Sequence, residues 1–141
     1  MNQTPLLDIH QHCVRFNTDD GAFRAVDDVS FQVDSGEILG LVGESGCGKS
    51  VTALSIVRLV PYPAGRIESG KILFNNKDLL TLEADDLQKI RGKDIAMIFQ
   101  EPMSALSPLH RIGDQMAETL MLHSDISKKN AYEISENWLK K

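Results

Sequence analysis

Eight consecutive residues, Gly43, Glu44, Ser45, Gly46, Cys47, Gly48, Lys49 and Ser50, satisfy the spacing G-x-x-x-x-G-K-[ST]. Glycines so placed let backbone amides close on phosphate oxygens without side-chain clash. The ammonium of Lys49 would reach the outer phosphates as a point charge, and the Ser50 hydroxyl would offer Mg2+ a hard oxygen. The chemistry open to this stretch is therefore the binding of a nucleotide triphosphate with its magnesium. Cys47 fills a variable loop position and reads as a small tolerated side chain, with a reactive thiol at a helix start as the alternative.

A phosphate cradle must be held between a strand and a helix, and the flanks supply both patterns. Ile38-Leu39-Gly40-Leu41-Val42 is a short continuous apolar run, the pattern of a buried parallel strand, and apolar residues recur at helical spacing over 51–60. Ile95-Ala96-Met97-Ile98-Phe99 is a second such run, so another buried strand is expected to end at Gln100. A polar side chain there can face a ligand at the carboxyl edge of a sheet, or be an ordinary loop glutamine.

Ahead of the loop, residues 6–34 alternate in the manner of antiparallel strands, with turn chemistry at 17–21 and a further turn at 34–37. Pro61 and Pro63 stop the first helix, a strand is expected over 67–74, and 75–78 form its turn. Thr81 is the expected cap of a helix with acids early, bases late and Gly92 as terminator; further helices are expected over 112–122 and 128–139. His10 and His12 could share a strand face, but no third ligand accompanies them, and His110 and His123 stand alone.

At 141 residues and 42% hydrophobic, the chain has material for one core. Its 15 basic and 20 acidic residues leave a formal charge of −5, which supplies no footprint for nonspecific nucleic-acid binding. Cys13 and Cys47 form neither a disulfide framework nor a zinc pattern, and are expected to be reduced thiols in cytoplasm. The first residues do not show a basic region followed by an apolar core and a small-residue cleavage site, so export is not expected. No apolar run reaches bilayer-spanning length, so membrane association is expected to come through a partner.

Met97-Ile98-Phe99-Gln100-Glu101-Pro102-Met103-Ser104-Ala105-Leu106-Ser107-Pro108 resembles the Q-loop region of ATP-binding subunits of ABC transporters, in the dipeptide, oligopeptide and nickel importer branch. Ala25-Val26-Asp27-Asp28-Val29-Ser30-Phe31, the 41–50 stretch and Ile112-Gly113-Asp114-Gln115 resemble that branch in the same order. The resemblance implies an α/β fold: a P-loop NTPase core of ABC ATPase type with an amino-terminal antiparallel β layer and the start of a helical subdomain. Residues 1–100 would hold the β layer and Walker A core, and 101–141 the Q-loop and an incomplete helical subdomain. It implies ATP and Mg2+ as cofactors, residues 43–50 as Walker A, and Gln100 on magnesium or the attacking water.

The same resemblance assigns an adenine-stacking aromatic, with Phe16 the candidate and Phe23 its competitor, although either ring could simply pack in a core. It implies transmembrane permease subunits and a second ATP-binding subunit as partners, no nucleic acid, and a peripheral place on the cytoplasmic face of the cell membrane. The family's signature motif, Walker B acids, catalytic glutamate and switch histidine have no counterpart in residues 1–141. The expectation is thus a portion of an ATPase, of low autonomous stability and inactive alone, with a nonenzymatic nucleotide- or partner-binding fragment as the alternative. A small GTPase would need N-K-x-D, and Asn76-Lys77-Asp78 lacks the intervening residue and falls too early. A soluble phosphate-loop kinase would need a substrate lid, for which no segment stands out.

Overall fold

The computed structural model describes residues 4–101 and 106–141. Two compact units are present, Met1–Glu83 and Ala84–Lys141. The first is built on a four-stranded antiparallel sheet in the order β2-β1-β3-β4, from β1 (Leu7–Thr18), β2 (Gly21–Val33), β3 (Gly65–Phe74) and β4 (Lys77–Asp78). The β1–β2 hairpin closes where Thr18 Oγ1 donates to the Gly21 carbonyl at 2.8 Å. Between β3 and β4, Asn75 and Asn76 sit at φ +48° and +63°, the left-handed pair that a two-residue hairpin turn demands and asparagine tolerates.

Helix α1 (Lys49–Ile56) follows the phosphate loop. Among the described residues of this unit Ile9, Cys13, Val14, Val26, Val57, Ile72 and Leu79 form the buried hydrophobic core, and α1 itself buries Thr52 and Ser55. Those hydroxyls are satisfied within the helix, Thr52 Oγ1 donating to Gly48 O at 3.0 Å and Ser55 Oγ to Val51 O at 2.7 Å. The helix is shorter than the 51–60 periodicity predicts. Arg58 at φ +52° ends it, with Arg58 N–H on Ser55 O and Leu59 N–H on Leu54 O, the paired bonds of a Schellman stop. The Arg58 side chain secures this exception to the usual glycine by donating from Nη1 to Leu82 O at 2.6 Å.

Both continuous apolar runs differ from expectation. Neither 38–42 nor 95–99 is a strand, and Ile38, Val42 and Ile98 are 97%, 91% and 91% exposed. A parallel strand buried on both faces exists only through neighbouring strands and covering helices; among the described residues 38–42 has no bridge partner, and 95–99 has only the isolated parallel bridge of Ile95 to Arg91. What the sequence pattern records is the environment the segment is made for.

In the second unit, α2 (Ala84–Ile90) starts three residues after Thr81, which is not its cap; the Thr81 hydroxyl donates instead to Asp78 O at 3.0 Å in a turn. Gly92, at φ +81°, follows the helix as expected. Helices α3 (Ile112–His123) and α4 (Lys128–Leu139) bury Ala117, Ala131 and Ser135. Ser127 caps α4 by accepting from Asn130 N–H at 3.3 Å, and the Tyr132 hydroxyl donates to the Asp114 carboxylate across the helix pair.

His10 and His12 do not share a face. Gln11 at φ +45° breaks the β1 register between Ile9 and His12, leaving His10 exposed beside Asp8 and His12 fully buried. Neither ring nitrogen of His12 has a hydrogen-bond partner among the described residues, and burial pushes its pKa below 6.5. The unfolded chain therefore takes up the proton first. His12 contributes stability that is complete above about pH 6.5 and lost as pH falls through the lower folded value. The carboxyl groups Glu68 and Glu136 are both held below 4.5, so their losses begin lower. Urea midpoints measured from pH 7.5 down to about pH 5 should fall more steeply for the parent protein than for His12→Leu; parallel profiles would refute the assignment.

Candidate phosphate-binding site

The approach to the loop is a tight turn. Glu37 N–H donates to Asp34 O at 3.1 Å, Asp34 N–H to Glu37 Oε2 at 2.7 Å, and Gly36 adopts φ +79° between them. The extended 38–42 segment then enters the loop, which curls back through Cys47 N–H on Glu44 O at 3.4 Å. Gly46 and Gly48 take φ +82° and +92°, a conformation in which other residues are strained.

Gly48 also caps α1, and it has no side chain with which to satisfy the helix's free amides. No acidic residue lies in the first turn. The positive end of the α1 dipole is thus left for an external anion. In the same place Lys49 Nζ donates to Gly43 O at 2.8 Å and Glu44 O at 2.6 Å, and lies 3.4 Å from Cys47 Sγ. Lys49 also lines a pocket of about 130 Å³ formed by residues 46–51, with Ser50 exposed at its wall. A second pocket of about 240 Å³ joins Cys47, Gly48, Lys49 and Thr52 to Ala25, Val26 and Asp27 of β2. A larger crease of about 540 Å³ lies along β1 and β3 at His10, Gln11, Gly70 and Lys71, and it contains none of the loop residues.

The two aromatic candidates are not alternatives in space. Phe16 and Phe23 are in register across β1 and β2, their rings stacked 18° from parallel with centroids 5.9 Å apart. Phe16 also lies against Gly65, where an added Cβ would come within 2.8 Å of its ring. Phe23 is the outer member, 54% exposed. Gln100 is exposed in a bend of the second unit. Pro102, Met103, Ser104 and Ala105 of the Q-loop stretch lie outside the described residues.

Periodicity gave no sign of the charged group beside the loop's β2 support. Arg24 Nε donates to Glu68 Oε2 at 2.8 Å and Arg24 Nη1 to Asp27 Oδ1 at 2.9 Å, while Arg15 Nη1 lies 3.7 Å from Glu68 Oε1. The hydrogen bond from Arg24 holds the Glu68 carboxyl below its usual range, and the Glu68 and Asp27 carboxylates raise the Arg24 pKa. Only the strand register brings these residues together: Arg15 pairs with both Arg24 and Arg66.

The ABC transporter family model matches residues 26–140. Among curated proteins, the peptidoglycan transport ATP-binding protein YejF of Agrobacterium fabrum is 52% identical over 130 residues, covering 92% of this chain and 24% of the relative. The dipeptide transport ATP-binding protein DppD of Bacillus subtilis is 48% identical over 126 residues, covering 89% and 38%. The oligopeptide transport ATP-binding protein OppD of the same organism is 45% identical over 128 residues, covering 91% and 36%. The chain thus spans about a quarter to two fifths of these relatives' lengths. In fold it is similar to the dimeric structure of MJ0796, a bacterial ABC transporter cassette, with a TM-score of 0.77 and 22% identity, covering 95% of this chain and 56% of that one. With its phosphate loop inside a family match that runs from within β2 almost to the last residue, the chain belongs to the ABC transporter family.

Proposed function

We propose that this chain is the Walker A portion of an ATP-binding subunit of a peptide-type ABC importer, and that it binds ATP with Mg2+ to power solute transport in the assembled transporter. The observation that carries this reading is the uncapped start of α1, where the first helical residue, Lys49, is held by two carbonyls of the same loop. Phosphate oxygens would take the loop amides and draw Lys49 from those carbonyls. Ser50 fits a magnesium ligand because it is a hydroxyl exposed at the pocket wall, and Mg2+ needs few protein oxygens when phosphates and waters complete its shell. Bound magnesium would neutralise charge on the outer phosphates.

Phe16, backed by Phe23, would offer a flat apolar surface to adenine, and Gln100 would orient the attacking water or touch the metal. Permease subunits and a second ATP-binding subunit would complete the machine at the cytoplasmic face of the membrane; no helix among the described residues is long and apolar enough to cross one. Peptides as the transported class are proposed from the names of the oligopeptide and dipeptide transport relatives, while the Agrobacterium fabrum relative is named for peptidoglycan.

The test is equilibrium ATP binding by the full-length gene product. Saturable binding that weakens when magnesium is chelated supports the proposal, and absence of binding at millimolar ATP overturns it. Gln100→Ala should leave ATP affinity within about threefold and slow turnover by roughly 100-fold, the scale on which loss of one positioned polar group in a reaction acts. Unchanged turnover would remove Gln100 from the mechanism.

A further inference from the structure

Strand β2 departs from regular pairing just where it meets the phosphate loop. Val14 pairs with Val26 while Arg15 pairs with Arg24, so Ala25 is an extra residue on β2. A few positions on, Cys13 alone lies opposite both Asp27 and Asp28, between the pairs His12–Val29 and Val14–Val26, and Asp28 takes φ +51°. Bulges of this kind bend a strand and re-aim its groups. Here the bend brings the Ala25 carbonyl against Gly48, so closely that a Cβ at Gly48 would lie 2.2 Å from that oxygen. The 240 Å³ pocket lies along this contact, walled by Ala25, Val26 and Asp27 on one side and Gly48 and Lys49 on the other.

The irregular stretch is tied down by side chains. Arg24 and Asp27 flank the bulge and are joined by the 2.9 Å bond from Nη1 to Oδ1, which closes a clamp over the extra residue. The same guanidinium reaches Glu68 of β3 through Nε at 2.8 Å, so the clamp is anchored beyond β1. Asp28 N–H donates to Cys13 Sγ at 3.2 Å and fixes the far end.

We infer that Arg24 is a positioning residue for the nucleotide site: acting through Asp27 and Glu68, it holds the bulge whose Ala25 carbonyl sets where Gly48 and the first turn of α1 stand. The inference rests on the nucleotide-binding reading of the loop. Exposed ion pairs add little to global stability. The effect of this one falls on the geometry of the cradle, where small displacements of a binding group are costly.

The experiment measures ATP and Mg2+ affinity of the full-length protein at a temperature well below unfolding, with thermal melts alongside. Arg24→Gln should raise the Kd about 3- to 30-fold, the range in which residues coupled to a site without touching its ligand act. Glu68→Gln added to it should cost little more, and Arg24→Lys should recover part of the affinity. A melting temperature that falls while the Kd stays within twofold would show a merely structural role and overturn the inference. Lys49→Ala, run in parallel, separates the two levels. If it weakens binding strongly and Arg24→Gln does nothing, only the positioning role fails; if it does nothing, the nucleotide site and the positioning role fail together.

Discussion

Lys49→Ala raises the Kd for ATP and Mg2+ by about 30- to 150-fold in isothermal titration of the full-length protein, while the unfolding midpoint stays close to that of the parent. The magnitude follows from what the ammonium exchanges. In the structure it donates to two neutral acceptors, Gly43 O and Glu44 O, at 2.8 and 2.6 Å. With a phosphate present, the same donors meet an anion, and a hydrogen bond to a charged group contributes about 1.5–3 kcal/mol net. A loss of about 2–3 kcal/mol, at 1.4 kcal/mol for each tenfold, gives the stated range. The fold tolerates the change because both acceptors lie in the exposed loop, where water can replace the lost donor. Lys49→Arg should recover little, since a planar fork cannot reproduce a compact point charge in a pocket of about 130 Å³. A Kd within threefold of the parent for Lys49→Ala would remove the loop from the nucleotide site.

Gly48→Ala is expected to destabilise the protein by about 2–5 kcal/mol and to abolish ATP binding with it. Two costs add at this position. Its φ of +92° belongs to the left-handed region, which costs a residue with Cβ about 1–2 kcal/mol. The new methyl would stand 2.2 Å from the Ala25 carbonyl, a backbone atom that can move only if the β2 bulge moves, and such overpacking costs about 1–3 kcal/mol. Gly46 isolates the first cost, because it has φ +82° with nothing within 4 Å of an added Cβ. Gly46→Ala should therefore lose only about 1–2 kcal/mol. Urea unfolding of both variants decides the matter, and equal losses would show that the Ala25 contact does not constrain the loop.

The phosphate loop was legible because its chemistry is local. Spacing alone names the glycines that must bend, the lysine and the serine, and the structure folds 43–50 into the loop that starts α1. Most turns were legible for the same reason: Asn75-Asn76, Gly36, Gly92 and the two late helices depend on residues within a few positions of one another, although Thr81 closes a turn on Asp78 instead of capping α2. Local reasoning misplaced the end of α1, since Arg58 takes a left-handed conformation usually left to glycine, with its guanidinium bonded to Leu79 O and Leu82 O more than twenty residues away.

The apolar runs mark the boundary between the two kinds of information. Five consecutive apolar or glycine residues at 38–42 specify a segment suited to burial, but a strand is a relation between segments, and among the described residues no partner meets it. The sequence by itself determined the family, and it named the residues proposed to bind phosphate, because both depend on side-chain type and short spacing. Tertiary structure alone decided that His12 is buried while His10 is not, that Phe16 and Phe23 form one stack, and that a bulge clamped by Arg24 presses the Ala25 carbonyl on Gly48. Each of these depends on strand register, and a shift of one residue in pairing reverses which face a side chain occupies.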